Sequence, residues 1–268
     1  MVFGFGPALA PVLGGYFSTH LGWASKFHAL TVISAVLATA CFFLLPESLP
    51  KEARTPVSFS GLAKGYARTA SHVPYMLGNC ALGIAFLGQG VFIAGAADWC
   101  VNVMGLQSDQ FWMLFLPMIA GTVVGSWAST RLVGRPGTSG TMRVGFAVML
   151  AAAVISMVLL GLHGRVGLPW AVMPLSLYTI GLGITRPGMS LVLMDFFPGT
   201  RGLASSIQNF VQTLFFVSCS AFVVPLVYGE AWRYEAALIV FCISSMVLWG
   251  LTMHLKLQRH ERPRETRV

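Results

Sequence analysis

The sequence predicts an all-α integral membrane protein with eight transmembrane helices, and two observations support that prediction. Of the 268 residues, 56% are hydrophobic and 10% are charged, with a mean hydropathy of +0.74, whereas soluble domains carry about 25% charge. The charged residues are also clustered, and they leave eight intervals as long as the roughly 20 residues that a helix needs to cross a bilayer. These intervals are 1–25, 27–46, 69–97, 110–130, 144–164, 166–185, 202–229 and 236–255.

The predicted elements follow in order along the chain. Two spans, over residues 1–19 and 27–45, are joined by a short external turn, and the first looks cut short on its amino-terminal side. Residues 46–74 contain four prolines and charges of both signs, which predicts a cytoplasmic linker with a short surface helix around Gly61 to Ser71. Six further spans with short loops occupy residues 75–256, and residues 257–268 form a basic cytoplasmic tail.

The lysines and arginines are distributed unequally between the two sides of the membrane. With alternating spans, one side holds thirteen of the 17, the other holds Lys26, Arg165 and Arg233, and Arg186 lies at the edge of a span. Because cytoplasmic loops carry an excess of basic residues, the richer side is predicted to be cytoplasmic. The net charge of +8 is therefore interpreted as an orientation signal and not as a sign of nucleic acid binding. The thirteen are Lys51, Arg54, Lys64, Arg68, Arg131, Arg135, Arg143, Arg201, Lys256, Arg259, Arg262, Arg264 and Arg267.

The first predicted span carries small residues at a regular spacing. Small residues four apart leave bare backbone on one helix face, so a neighbouring helix can approach closely, and Pro11 removes a backbone donor. Gly22-Trp23 and Pro46-Glu47 flank the second span. This arrangement resembles the helix-five antiporter motif of the major facilitator superfamily and the signatures around its helix six. The motif residues are Gly6, Ala10, Pro11, Gly14 and Gly15.

Three later segments extend the resemblance over the whole chain. The segment from Gly125 through Arg131 to Gly134-Arg135 resembles a degraded second copy of the superfamily's loop motif. The segments Pro198–Ser206 and Gly105–Phe111 resemble the starts of helices eleven and eight in bicyclomycin- and chloramphenicol-resistance-type drug:proton antiporters.

The resemblance implies a twelve-helix transporter with two bundles. Residues 1–45 become the last two helices of the N-terminal bundle, and residues 75–256 become the C-terminal six-helix bundle.

The implied function is secondary active transport, most simply proton-coupled efflux of drugs or amphipathic compounds by alternating access, without a cofactor or catalysis. The alternative is uptake or export of a metabolite. The implied partners are a small-molecule substrate, protons, the lipid bilayer and the missing N-terminal helices. The implied location is a bacterial inner (plasma) membrane.

Polar and aromatic side chains recur at helical spacing on three of the spans. On the seventh span the polar side chains are followed along the helix by Phe215 and Cys219. Sparser stripes lie on the third span (Asn79, Phe86 and Phe92) and on the sixth (Tyr178 and Thr185). One reading is hydrogen bonding between helices, and the other is a cavity wall that binds an amphipathic compound. The predicted substrate-cavity residues are Gln89, Arg186, Gln208, Asn209, Gln212 and Phe216.

Ionisable residues inside a span are candidates for functional sites because they are costly to place there. Arg186 follows Gly181-x-Gly183, where a broken helix would let it line a cavity; otherwise the span ends there and Arg186 reaches the headgroups. None of the nine acids lies at mid-span, so the proton site is expected in the missing helices. Asp98 and Asp195 are the nearest candidates, unless both are solvated acids at the interface.

Two other functional classes have weaker support. The run from Gly137 through Ser139 to Gly140, together with His163 and His254, prompts the hypothesis of an intramembrane serine protease, although Ser139 is predicted to lie in a turn. The other class is a channel or a membrane-anchored assembly protein, and this sequence contains no filter-like segment to support it. The five cysteines show no C-x-x-C pair, so we expect small buried hydrophobic groups rather than a disulfide or metal site.

Overall fold

A computed structural model gives the architecture of the chain for residues 17, 21–45, 58–106, 110–163 and 167–265, with side chains to residue 258. All regular structure in these ranges is helical, as the sequence predicts. The predicted helix-five motif, Gly6, Ala10, Pro11, Gly14 and Gly15, lies outside the described residues.

Eight helices form the described fold, and two of them continue past a local irregularity. The third continues beyond Gly95 through Ala96–Asp98 into a π-helical turn, Trp99–Val103. The seventh continues through a π-helical turn, Cys219–Val223, into Val224–Val227. In chain order the helices are α1 (Ser25–Leu44), α2 (Phe59–Ala70), α3 (Val73–Ala94), α4 (Trp112–Leu132), α5 (Gly137–His163), α6 (Met173–Met194), α7 (Arg201–Ser218) and α8 (Ala231–Glu265).

Six helices in the described part of the chain are long and apolar enough to cross a membrane, against the eight spans predicted. They are α1, α3, α4, α5, α7 with its continuation, and α8. The predicted span over residues 1–19 falls almost entirely outside the described residues. The span predicted within 166–185 is α6, which begins and ends later and is long enough but insufficiently apolar, because it contains glycines, threonines and Arg186.

Helix α6 packs between α4 and α5 through glycine. A Cβ at Gly183 would lie 2.5 Å from the carbonyl oxygen of Thr122 and 3.0 Å from the Cα of Gly125, both on α4. A Cβ at Gly181 would lie 2.7 Å from the carbonyl oxygen of Gly145 on α5. Such contacts bring backbones together as small residues do between membrane helices. The prediction of a broken helix at these glycines is therefore wrong, since α6 runs without interruption to Met194.

Helix α3 is the most buried of the spans and packs along α8. Near one end, the hydroxyl of Ser245 donates to the carbonyl oxygen of Ala81 at 2.8 Å. At the opposite end of α3, the rings of Phe92, Trp99 and Tyr234 pack against one another, mostly edge to face, with centroids 4.9 to 5.5 Å apart. This aromatic cluster ties the continuation of α3 to the start of α8.

The predicted linker helix is confirmed as α2, which begins two residues earlier than predicted and ends one residue earlier. The hydroxyl of Ser58 accepts a hydrogen bond from the N–H of Gly61 at 3.4 Å, which caps the helix. Helix α1 buries none of its residues. As a result Cys41 on α1 is exposed, against the prediction of small buried cysteines, whereas Cys100, Cys219 and Cys242 are buried.

Candidate functional site

A cavity of about 450 Å³ opens between α3, α4, α6 and α7. Its volume is in the range of small-molecule sites, which are about 300–1,000 Å³. The walls are mostly apolar, with polar groups on each of the four helices. The lining residues are Phe86, Gln89, Ile93, Ile119, Thr122, Val123, Ser126, Leu182, Gly183, Arg186, Pro187, Ser190, Gln208, Asn209 and Gln212.

Five of the six residues predicted for the cavity lie in this lining, and one does not. Helix α3 contributes Gln89, α6 contributes Arg186, and α7 contributes its three amides, whose spacing places them on one face. Phe216 is outside the lining, although its ring centroid is 5.9 Å from that of Phe86, which is in the lining. Whether these residues contact a substrate stays a prediction.

Arg186 is held inside the helix bundle by side chains from two other helices. Its Nη2 donates to Oε1 of Gln212 at 2.9 Å, and its guanidinium carbon lies 5.3 Å from the ring centroid of Phe86. Cation–π contacts of this kind favour a partly desolvated guanidinium. Helix α6 extends two further turns past Arg186, so the helix itself does not end at this residue.

The amides of α7 also join it to α6. Nε2 of Gln208 donates to Oγ of Ser190 at 3.0 Å, one turn from the Arg186 contact. The Oε1 of Gln212 accepts the hydrogen bond from Arg186, while its Nε2 is buried without a hydrogen-bond partner among the described residues. A buried amide N–H without a partner is costly, so this donor is available to a bound molecule. The two readings of the polar face of α7 are thus compatible.

Several residues of the predicted stripes lie elsewhere. Tyr178 is fully buried and donates to the carbonyl oxygen of Ala85 at 3.1 Å, so it joins α6 to α3. Asn79, Phe92 and Thr185 are also buried and do not line the cavity. Periodicity identifies a face but cannot say whether that face meets a cavity or another helix.

The cavity wall formed by α4 is not predicted from the sequence. Ile119, Thr122, Val123 and Ser126 come from this helix. Thr122 and Ser126 are four residues apart and thus share a face, which was the available signal. Small hydroxyl side chains are common in membrane helices, where they also bond their own backbone, as Thr122 does to the carbonyl oxygen of Met118.

The acids fall into two environments. Asp195 is exposed and pairs with Arg201 at 3.3 Å, as a solvated interfacial acid should. Asp98 is buried, and its carboxylate accepts hydrogen bonds from the N–H of Gly229 (3.0 Å), the hydroxyl of Tyr234 (3.0 Å) and Nδ2 of Asn102 (2.7 Å). The expectation that Asp98 is solvated is therefore wrong.

Glu235 is a second buried acid that the sequence reasoning placed outside the spans. It lies one turn into α8 and is buried, with the side chain of Ser156 on α5 nearby. Helix α8 begins five residues before the uncharged interval, which brings Glu235 between the two helices. No acid lines the cavity among the described residues, and no group of three potential metal ligands occurs in the same ranges.

The structure excludes one of the two serine–histidine pairs of the protease hypothesis, Ser139 with His163. Ser139 lies in the first turn of α5 and not in a loop, while His163 ends the same helix. At 1.5 Å per residue the two are about 36 Å apart along the axis, far beyond hydrogen-bond reach.

Comparison with known proteins agrees with these observations. The family model described as Major Facilitator Superfamily matches residues 1–218. The chain is 25% identical over 214 residues to "Multidrug transporter MdfA" of Edwardsiella piscicida, covering 78% of this chain and 51% of that protein. It is 23% identical over 154 residues to "Bicyclomycin resistance protein homolog" of Haemophilus influenzae, covering 58% and 39%. For "Multidrug transporter MdfA" of Yersinia pestis (strain Angola), identity is 21% over 251 residues, covering 92% and 59%.

The chain spans about half the length of the curated relatives that it matches. These relatives are bacterial, and the names of the three confirm the resemblance to drug-resistance transporters. With six long apolar helices among its described residues, the chain is a multi-pass integral membrane protein, and its bacterial relatives indicate the inner membrane. Because the family model covers most of its length, the chain belongs to the Major Facilitator Superfamily, a family of transporters.

Proposed function

We propose that the chain takes part in secondary active transport, as the C-terminal bundle and two further helices of a carrier that exports drugs or amphipathic compounds in exchange for protons. The observation that carries this proposal is the cavity between α3, α4, α6 and α7, in which a guanidinium and neutral amides face apolar walls. The relatives named for multidrug and bicyclomycin resistance support the same substrate class.

Eight membrane spans are part of the proposal. Helix α6 has 22 residues, about 33 Å at 1.5 Å per residue, which matches the hydrocarbon thickness. Its glycines pack against α4 and α5 and its arginine faces the cavity, so the groups that lower its hydropathy need not contact lipid. Helix α6 is thus a seventh span, and the apolar segment over residues 1–19 supplies the eighth.

The cavity supports binding of a compound with both an apolar body and a polar group. Phe86, Ile119 and Val123 offer apolar surface, whose burial drives association without fixed geometry. Arg186 and the buried Nε2 of Gln212 offer hydrogen-bond donors. Since no acid lines the cavity among the described residues, we place the proton-binding group outside this wall. Alternating access then requires the two bundles to rock around the site between them.

The test is transport by the carrier encoded by the complete reading frame, in everted membrane vesicles. A proton gradient should drive uptake of a lipophilic dye or antibiotic, and an uncoupler should abolish that uptake. Flux of small carboxylates without flux of any amphipathic drug would instead support the metabolite alternative, since the guanidinium of Arg186 could bind a carboxylate. Absence of any proton-dependent flux would contradict the proposal.

Two variants test the cavity within that assay. Gln212→Ala should change apparent affinity about fivefold through the loss of one neutral hydrogen bond from its Nε2 to substrate, which is worth about 1 kcal/mol. Because the substitution also removes the acceptor of Arg186, the melting temperature of the variant is measured alongside its affinity. The control is Gln258→Ala on α8, an exposed glutamine outside the cavity, which should leave affinity unchanged. Arg186→Gln should abolish or redirect transport. Wild-type kinetics in both cavity variants would show that these residues do not contact substrate.

A further inference from the structure

Helix α2 is a short amphipathic helix at the beginning of a membrane span. It ends at Ala70, and only Ser71 and His72 separate it from α3. The sequence has no acid between Glu52 and Asp98, so the charges on α2 are both positive. Isolated helices of this length are marginal in water, and therefore the surroundings of α2 must stabilise it.

One side of α2 faces the protein. Thr69 is 3% exposed, and a Cβ at Gly65 would lie 2.9 Å from Cδ1 of Leu203 on α7. These two positions are four residues apart and share one face. The remaining circumference of the helix is not covered by described residues.

The uncovered surface divides into an apolar and a basic face. Phe59, Leu62 and Tyr66, spaced by three and four residues, are 93%, 43% and 41% exposed. Lys64 and Arg68, four residues apart, lie roughly opposite at 100° per residue. A strongly exposed apolar stripe backed by basic residues is the pattern of helices that lie in a membrane interface.

We propose that α2 lies in the cytoplasmic membrane interface and binds anionic lipid. Phe59, Leu62 and Tyr66 enter the boundary of the acyl chains, and Lys64 and Arg68 bind anionic headgroups. The connection to α3 places α2 at the level where that span leaves the hydrocarbon. Cytoplasmic leaflets carry anionic lipids, which attract basic residues next to a span, and the predicted cytoplasmic side of this chain is the basic one.

The experiment uses the full chain reconstituted into vesicles, with a fluorophore on a single introduced cysteine. Phe59→Cys reports the apolar face and Ser60→Cys, about 100° around the helix, is its matched control. The unsubstituted chain, in which Cys41 is exposed, gives the background. Lipids with a spin label at a shallow acyl position should quench the fluorophore at position 59 about threefold more than at position 60. Tyr66→Cys provides a second reporter on the same face.

The lipid charge is tested with spin-labelled phosphatidylglycerol against spin-labelled phosphatidylcholine at equal mole fraction. The anionic lipid should quench position 59 more strongly. K64Q/R68Q should abolish that excess, because two basic residues near the surface account for about a thirtyfold preference for anionic lipid. R131Q/R143Q, a pair of cytoplasmic-side arginines outside α2, should leave it unchanged.

Three outcomes would overturn the proposal. Equal quenching at positions 59 and 60 would mean that the apolar face does not enter lipid. Weak quenching at both 59 and 66 would mean that protein, such as a second copy or another part of the carrier, covers this face. Equal loss of the anionic preference in R131Q/R143Q would mean that the charge effect belongs to the whole cytoplasmic side and not to α2.

Discussion

Gly181→Ala tests whether α5 and α6 are held together by contact between their backbones. A Cβ at position 181 would lie 2.7 Å from the carbonyl oxygen of Gly145, 2.7 Å from Cγ of Met149 and 2.8 Å from the backbone nitrogen of Met149. A change of rotamer can move the methionine side chain but neither of the two backbone atoms. The added methyl group therefore forces the helices apart.

The size of the effect follows from these distances. Ordinary Cβ contacts begin at 3.4 Å, so contacts of 2.7 Å require α5 and α6 to separate by about 0.7 Å. Overpacking of this kind lowers the free energy of unfolding by about 1–3 kcal/mol, and the higher helix propensity of alanine offsets up to about 1 kcal/mol of that loss. We expect a net loss of about 1–2 kcal/mol in the free energy of unfolding.

The matched control is Gly250→Ala on α8. A Cβ at Gly250 has no atom within 4 Å, so the same substitution adds no clash. It should leave stability unchanged or raise it by up to about 1 kcal/mol. Both variants are compared by thermal unfolding of the purified protein in detergent, followed by tryptophan fluorescence. If Gly181→Ala unfolds at the wild-type temperature, or if both variants shift equally, the tight α5–α6 contact is refuted.

Three further predictions concern other contacts. Asp98→Asn should lower the free energy of unfolding by about 2 kcal/mol, because an amide nitrogen cannot accept the hydrogen bonds that the carboxylate accepts. The control Asp195→Asn on the surface should cost about 0–1 kcal/mol. Equal shifts in melting temperature for the two variants would contradict this prediction. Tyr178→Phe should cost about 1 kcal/mol through the lost bond to Ala85, with an unchanged melting temperature as the opposing result. A cysteine at Ser60 should resist impermeant thiol reagents in intact cells, and its labelling would show the predicted orientation to be wrong.

The sequence predicts the positions of the long apolar helices because a charge in the hydrocarbon core is costly at any position. The uncharged intervals therefore locate both ends of α1, α3 and α4, and the start of α7, to within four residues. The ends are less predictable. Helix α5 begins at Gly137 and carries Arg143 outside the apolar stretch, since a helix continues past the membrane wherever its backbone remains hydrogen-bonded.

Long-range contacts account for what the sequence does not reveal. Asp98 has the position of an interfacial acid, yet the chain turns at Gly229, with φ of +74°, and presents a backbone N–H from 131 residues away. The two glycines of α6 are consistent with either a broken helix or a close contact. Only the neighbouring backbones of α4 and α5 distinguish these readings.

The two sides of α6 differ in how they are fixed, and this difference bears on transport. Towards α4 and α5, Gly183 and Gly181 bring backbones into contact, so relative motion there would open a tightly packed seam. Towards α7, the contacts at the cavity are side-chain hydrogen bonds, from Arg186 to Gln212 and from Gln208 to Ser190. Such bonds can be exchanged for bonds to a substrate without repacking a core. If this cavity binds substrate, the contact between α6 and α7 is therefore the one that binding can rearrange with the smallest loss of packing free energy.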